Sequence, residues 1–503
     1  MALDFISRFI KKLYGGENEA SSLTNSDTLA FFNTLGRKKE VFKSQKKHEV
    51  GMYNCGPTVY AFAHIGNLRS YVFADTLRKT LEYNGFKVNQ VINITDVGHL
   101  TDDEDQGEDK IELGAKRENK TAKEISDFFT EAFLEDLATL NIQTGSITFP
   151  KATEHILEQI AFIQTLEEKG YTYKTSDGIY FDTSKFPAYG KLGNINVKGL
   201  KEGSRVEKNL EKKHGTDFAL WKFSPLASSG QAARQQEWPS PWGVGFPGWH
   251  IECSAMSMKY LGKTFDIHTG GIDHIPVHHN NEIAQSEAAT GKTFVKYWLH
   301  NEFLTIEGRK ISKSLGNTIY LKNITDRGIS PLSYRFWLLT SHYRTMVNFT
   351  WEALEGAQTA LFKIHKLFVE KWGKKIGAVS ALYAKKFKSF LNDDLDTPKV
   401  VALLFELAKD ERVSNADKRA TILEFDKVLS VGFREFNLEL QEMLRTKIAP
   451  EKLPEPVRKI LAEREKTRAE KNWQKADELR AKILDLGFEV QDTENGQEVY
   501  LKH

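Results

Sequence analysis

The chain has 503 residues, enough for three or four domains at ordinary domain sizes. Hydrophobic residues make up 40% and charged residues 27%, with 35 glycines and 13 prolines, which excludes global disorder, fibrous repeats and low complexity. The net charge is +2, so a nucleic-acid partner must be argued from local patches, and no apolar run reaches the roughly 18–20 residues of a bilayer crossing, so integral membrane contact is not expected.

Residues 1–28 read as an N-terminal extension. Leu3, Ile6, Phe9, Ile10 and Leu13 recur at helical spacing, while Asp4, Arg8, Lys11 and Lys12 interrupt the apolar core that a secretory signal needs. Val50–Asn54 predicts a strand, broken at Cys55-Gly56-Pro57. A helix follows, with Leu68, Val72, Phe73, Leu77 and Leu81 on its apolar stripe and Asn84-Gly85 at its end. Val88–Ile94 is β-branched and apolar and predicts a second strand. Strand, helix and strand over residues 48–94 form a βαβ unit, which implies a parallel sheet with ligands at the carboxyl ends of its strands.

Asp102–Asp109 reads as a solvated acidic loop, residues 121–170 as mainly amphipathic helix, and 171–235 as irregular and strand-rich, an interruption of the α/β pattern. The pattern resumes with a strand at Phe265–His268, Gly270-Gly271, and a helix carrying His278 and Glu282. A short strand at Phe303–Ile306 leads into a loop at Lys310–Ser314. After residue 331 the chain reads as nearly all helix, with Leu361, Ile364, Leu367 and Phe368 on one face. Pro450, Pro454 and Pro456 mark a linker, Arg458–Leu484 a strongly charged helix, and Phe488–Tyr500 two strands around Asn495-Gly496.

Three constellations carry chemistry. His64-Ile65-Gly66-Asn67 lies between the first strand and the first helix, where backbone N–H groups and the helix dipole favour phosphate. Gly66 permits close approach, and His64 and Asn67 supply donors. Lys310-Ile311-Ser312-Lys313-Ser314 puts two lysines on a loop able to close over a polyphosphate. Cys55 and Cys253 are the only cysteines, too few for a disulfide framework and consistent with a reducing, cytoplasmic location. With Glu282 and an imidazole they suit a zinc ion; by spacing alone His274, His278 and His279 all remain candidates.

The first two motifs, in this order and one in each half of an interrupted sheet, resemble the HIGH and KMSKS signatures of class I aminoacyl-tRNA synthetases. Asn67 stands where the family usually has a second histidine, and Ile311 replaces methionine. The runs CGPTVY, GWHIECSAM, FDIHTGGIDH and HHNNEIAQ resemble cysteinyl-tRNA synthetase from about residue 29 to the C-terminus. That resemblance implies zinc, one per chain, on Cys55, Cys253, His278 and Glu282. It places His64, Gly66, Asn67 and Lys313, with Lys310 in support, at the phosphates of Mg²⁺–ATP. Thr95, Trp249, His268 and Asp273 fall near the substrate L-cysteine or nucleotide.

The implied fold is α/β: a Rossmann-type parallel sheet split by an insertion, then an all-α anticodon-binding bundle and a small C-terminal domain. The expected boundaries are 29–135 and 236–300 for the halves of the catalytic domain, with the connective insertion at 136–235. The lysine-loop and stem-contact region takes 301–345, the bundle 346–449 and an RNA-contacting domain 450–503, where Arg458, Lys459, Arg464, Lys466 and Arg468 would meet phosphates. The implied activity is ATP-dependent ligation of cysteine to tRNA(Cys) by a monomer. Two other readings are a cysteine:amino-sugar ligase of mycothiol biosynthesis, which lacks the C-terminal extension, and a noncatalytic zinc RNA-binding protein.

Overall fold

The computed structural model describes residues 28–97, 110–194, 211–224, 234–312, 316–434, 453–493 and 496–501. The N-terminal extension, the acidic loop, Lys313 and Pro450 of the linker lie outside the described residues. Among the described residues no helix is long and apolar enough to cross a membrane.

A hairpin that the sequence pattern did not signal comes first, β1 (Ala30–Asn33) with β2 (Lys38–Val41). The expected βαβ unit follows as β3 (Glu49–Asn54), α1 (Ile65–Tyr83) and β4 (Lys87–Ile92). Helices α2 (Lys110–Glu118) and α3 (Ala122–Thr139) lead to a short strand, β5 (Ile147–Thr148), which pairs in parallel with β4. The stretch 121–170 is mainly helix, as its pattern predicts, and β5 interrupts it. Two β-branched residues ahead of Pro150 favour extended chain, and Pro150 bars a helix there.

Beyond α4 (Ile156–Glu168), strands β6 (Thr172–Lys174), β7 (Gly178–Phe181), β8 (Phe218–Phe223) and β9 (Gly245–Pro247) form an antiparallel sheet in sequence order. It has its own apolar core around Ile160, Ile163, Phe181, Phe218 and Trp221. The chain then returns to the parallel sheet through α5 (Trp249–Leu261), β10 (Phe265–Gly271), α6 (His278–Thr290) and β11 (Val295–Asn301). The order is β11-β10-β3-β4-β5, with every pairing parallel. From β3 the chain crosses to β4 on one side, and from β10 to β11 on the other. The order therefore reverses between β3 and β10, and a crevice opens at their carboxyl ends, Asn54 and Gly271.

Strands β12 (Leu304–Ile306) and β13 (Arg309–Lys310) present the lysine loop. After α7 (Leu321–Thr325) and α8 (Pro331–Leu339), β14 (Val347–Phe349) joins them, paired in parallel with β12. This strand departs from the all-helical expectation; Val347 and Phe349 are buried and Asn348 between them is exposed, the alternation of a strand. A bundle follows of α9 (Trp351–Lys366), α10 (Ala381–Asn392), α11 (Thr397–Lys409) and α12 (Asn415–Leu429).

The C-terminal helix expected over 458–484 is two helices, α13 (Glu455–Ala469) and α14 (Trp473–Asp485), before a hairpin of β15 (Phe488–Thr493) and β16 (Gly496–Leu501). Lys471 takes a left-handed φ of 58°, and Asn472 caps α14 by accepting the Lys475 N–H at 3.2 Å. Arg464, expected to meet RNA, is instead buried and donates to both oxygens of Asp492, at 2.8 and 2.9 Å. It pins the hairpin to α13.

Helix α1 joins these units, and its polar residues explain how. Arg69 donates to the carbonyls of Phe303 at 2.5 Å and of Tyr343 and Thr345 at 3.1 and 2.6 Å. Nearly two turns on, buried Asp75 receives Arg78 at 2.7 Å, Lys79 at 2.9 Å and Arg335 of α8 at 2.5 Å. Arg335 donates further to Leu140 O and Leu429 O, so one guanidinium ties α1, the end of α3 and the end of α12 together.

Candidate functional site

At the crevice lies an open cavity of about 480 Å³. Its wall includes Cys55 after β3, His64 and Asn67 at the start of α1, Trp249 and Cys253 on α5, and Lys310–Ser312 of the lysine loop. His64 caps α1. Its Nδ1 accepts the Asn67 backbone N–H at 3.1 Å, while the Asn67 side-chain oxygen accepts the His64 backbone N–H at 3.1 Å. With Nδ1 an acceptor, the neutral ring carries its proton on Nε2, as a donor. The amide at position 67 thus completes a reciprocal cap that orients His64.

Gly66 sits in a tight contact. A Cβ there would come within 2.8 Å of Ile311 Cδ1 and 3.0 Å of the His64 ring. The helix-start motif and the lysine loop therefore touch at this glycine. The backbone joins them as well, Ile65 N–H donating to Ile319 O at 2.9 Å.

At the cavity wall the structure brings Cys55, Cys253, His278 and Glu282 together, their ligand atoms all within 4.8 Å of one another. His278 Nε2 is 3.0 Å from Glu282 Oε1, as the four-residue spacing on α6 dictates. Cys55, Cys253 and His278 line the cavity; Glu282 lies fully buried behind them. Contact with Cys55, helped by His278, brings the Cys253 thiol down to about 6 against the opposing effects of burial and Glu282. Burial, then Cys253, push the Cys55 thiol up. Burial opposes ionisation of His278 and Glu282, but contact with Cys253 and Glu282 carries His278 up to about 10, and His268 and His278 bring Glu282 down to about 2. Two soft sulfurs, one imidazole and one carboxylate converging on a point, with a sulfur biased toward thiolate, fit a tetrahedral divalent metal of borderline softness.

A second grouping, Cys55, His268, His279 and Glu282, meets the same distance criterion. His279 Nε2 lies 3.3 Å from Cys55 Sγ, its Nδ1 2.8 Å from His300 Nε2, and His300 Nδ1 2.8 Å from the Thr34 hydroxyl. His268 Nε2 sits 3.0 Å from Glu282 Oε2, and its ring stacks on Trp298. Neither His268 nor His279 lines the cavity.

Of the residues expected near the substrate, Thr95, Trp249 and Asp273 line the cavity; His268 does not, and meets Glu282, which is also off the cavity wall. Several residues escaped the sequence reading. Glu252 is fully buried and accepts the Thr95 hydroxyl at 3.0 Å; burial, then Cys253, push its carboxyl up. Asn93 accepts the Gly56 N–H at 2.8 Å and places its amide 3.1 Å from Thr95 Oγ1. A Cβ on Gly270 would fall 2.5 Å from His274 Nδ1 and 2.7 Å from His279 Cε1, so this glycine makes room for the rings. Glu252 and Gly270 fall inside the long motif runs and Asn93 in none of them, and no spacing rule marks any of the three.

The architecture is that of class I aminoacyl-tRNA synthetases. The LeuRS of Agrobacterium radiobacter K84, solved as a ternary complex with tRNA and LeuAMS, superposes with a TM-score of 0.55 at 11% identity over 80% of this chain and 86% of its own. The methionyl-tRNA synthetase of Mycobacterium tuberculosis with methionyl-adenylate gives 0.50 at 13% identity, over 76% and 90%. A family model described as tRNA synthetases class I (C) catalytic domain matches residues 41–359, and one described as Cysteinyl-tRNA ligase anticodon binding domain matches 451–499. Cysteine–tRNA ligase 1 of Burkholderia lata is 48% identical over 473 residues, covering 94% of this chain and 97% of its own length. The cysteine–tRNA ligase of Treponema denticola is 44% identical over 490 residues, covering 92% and 98%. The chain belongs to the cysteine–tRNA ligase family, and is an enzyme of the aminoacyl-tRNA synthetase class.

Proposed function

We propose that the four converging side chains Cys55, Cys253, His278 and Glu282 hold one zinc ion and thereby select the amino acid, while His64, Gly66, Asn67, Lys310 and Lys313 hold Mg²⁺–ATP. The observation that carries this is the placement of three of the four metal donors on the wall of the same cavity that His64, Asn67 and Lys310 line. Zinc bound there supplies a Lewis-acid contact that prefers a thiolate to an alcohol. That preference answers the problem of rejecting serine, because an apolar pocket separates such near-isosteres by only about 1–3 kcal/mol.

The chain's own residues do the remaining work. His64 Nε2–H serves the phosphates as a donor, and Lys310 and Lys313 balance their charge. Trp249 and Asp273 border the amino acid; Thr95 is fixed by Glu252 and Asn93, and His268 acts by orienting Glu282. The cysteine carboxylate attacks the α-phosphorus and pyrophosphate leaves. The ribose hydroxyl of the terminal tRNA adenosine then attacks the carbonyl and AMP leaves. Neither step needs a nucleophile from the protein, so positioning and charge suffice.

The domain reading is part of the proposal: catalytic halves over 29–135 and 236–300 around the 136–235 insertion, the stem-contact region at 301–345, the bundle at 346–449 and a C-terminal RNA-contacting domain from 450. The enzyme works as a cytoplasmic monomer on tRNA(Cys). A cysteine-dependent ATP–pyrophosphate exchange assay, run beside tRNA charging and with serine as competitor, tests the whole. Exchange and charging with cysteine, and neither with serine, are expected; exchange with serine at a comparable rate refutes selection by the metal.

A further inference from the structure

The cavity mouth carries an aromatic group that ATP, cysteine and the metal donors leave unused. Phe62, two residues before His64, lines the cavity, and its side chain is 48% exposed. Its ring packs edge-on against Phe129 at 5.1 Å, Phe128 at 5.9 Å and Tyr320 at 6.1 Å between centroids. Phe128, on α3, is 45% exposed, and it does not line the cavity. Two half-exposed phenyl rings thus form a ledge running from the cavity edge onto the surface of α3. Cations attend it: Lys120 Nζ lies 5.4 Å from the centre of the Phe128 ring, and Lys110 Nζ 5.4 Å from that of Tyr60, another residue of the cavity wall.

Exposed phenyl rings of this kind are costly against water unless something covers them. Exposed aromatic rings with lysines beside them are the arrangement that holds single-stranded nucleic acid, bases stacking on the rings and phosphates meeting the cations. The reaction requires a single-stranded RNA end to enter this cavity, and the ledge is continuous with its mouth. We propose that Phe62 and Phe128 form a stacking ledge for the unpaired 3′ end of the tRNA, with Lys120 beside its backbone. The proposal rests on the tRNA-charging reading above and assigns that reaction its acceptor-end subsite.

Phe128 tests it, because its ring lies outside the cavity. Stacking contributes about 1–3 kcal/mol per base, so Phe128→Ala should slow single-turnover transfer from preformed cysteinyl-adenylate, at subsaturating tRNA, by about 5- to 150-fold. ATP–pyrophosphate exchange should keep its rate and its KM for ATP. Phe128→Tyr should restore transfer, which a merely structural loss on α3 would not require. Lys120→Ala should lower the salt slope of tRNA binding by about 0.7, the value for one single-strand phosphate. Unchanged transfer in Phe128→Ala overturns the ledge, and so does a raised KM for ATP, which would give the rings to the nucleotide. Failure of the parent reading looks different: the unaltered enzyme itself would form adenylate without charging tRNA.

Discussion

Two overlapping donor groupings share Cys55 and Glu282, and one pair of substitutions separates them. Cys253→Ser removes a ligand of the grouping that faces the cavity; His279→Asn removes one of the grouping behind it. Structural zinc sites bind with about 10–16 kcal/mol over four ligands, so one ligand accounts for about 3 kcal/mol, or roughly 10²-fold in affinity. His279, at 3.3 Å from Cys55 Sγ, is placed to donate to that sulfur; losing such an outer contact costs about 10- to 100-fold. Competition with a chromophoric chelator should therefore rank the affinities wild type, then His279→Asn, then Cys253→Ser, with one equivalent of zinc in the wild type. Both variants should stay folded, since the cluster sits among Tyr53, Ile283 and Trp298 in a core that does not depend on the ion. Cys253→Ser should also lose most adenylate formation. If His279→Asn released zinc more readily than Cys253→Ser, the ion would belong to the rear grouping and the account of thiol selection would fail.

Lys313→Ala should slow single-turnover adenylate formation while leaving cysteine affinity nearly unchanged, because its charge is placed for the phosphates; an unchanged rate would transfer the role to Lys310. Deleting residues 450–503 should spare cysteine activation and impair charging with a reduced salt slope, since Leu453, Val457, Ile483, Val490 and Val499 form a core of their own; wild-type charging by the truncated enzyme would contradict an RNA role. Asp75→Asn should destabilise the fold by about 3–5 kcal/mol, the cost of stranding buried cations. Burial pushes Asp75 up, but Lys79, Arg335 and Arg78 outweigh it and hold the carboxyl well below the usual range. The folded pKa is thus depressed, so this contribution is full above the unfolded value near 4 and fades as pH falls below it. Denaturant midpoints from pH 7 to pH 3 should fall more steeply for wild type than for Asp75→Asn, and parallel curves would refute the linkage.

The sequence made the βαβ unit, the two signature motifs and the grouping of Cys55, Cys253, His278 and Glu282 legible, because each rests on local spacing or on a long run of residues. It did not reveal β5 or β14. Both are very short, and each exists only through pairing with a strand distant in the chain. It also misjudged Arg464: an arginine in a run of charges reads as solvated, and only the later fold of β15 brings Asp492 to bury it. Glu252, Asn93 and His279 act by touching residues from other elements, which no periodicity encodes. Choosing His278 over its neighbours needed the resemblance; in the structure His278 groups with both cysteines and Glu282, His279 groups with Cys55 and turns toward His300, and His274 joins neither grouping.

Helix α1 shows why a chemically critical element can look unpromising as a core helix. Its charged and polar residues Arg69, Asp75, Arg78 and Lys79 are buried, a pattern that hydrophobic periodicity would assign to a solvent face. Apolar packing is tolerant of small slides, whereas a guanidinium meeting fixed carbonyls is not, since hydrogen bonds weaken steeply with misdirection. Arg69 lies two residues from Asn67 and grips the chain just before β12, so the helix start and the strand leading to the lysine loop are set relative to each other by one side chain. Arg335 does the same between Asp75 and the end of α12. Helix α1 is thus held near its N-terminus from the lysine-loop side by Arg69, and at its middle by Arg335, which also reaches the end of the helical bundle. Arg69 thereby sets the approach of the two signature motifs, which meet where Ile311 Cδ1 packs over Gly66.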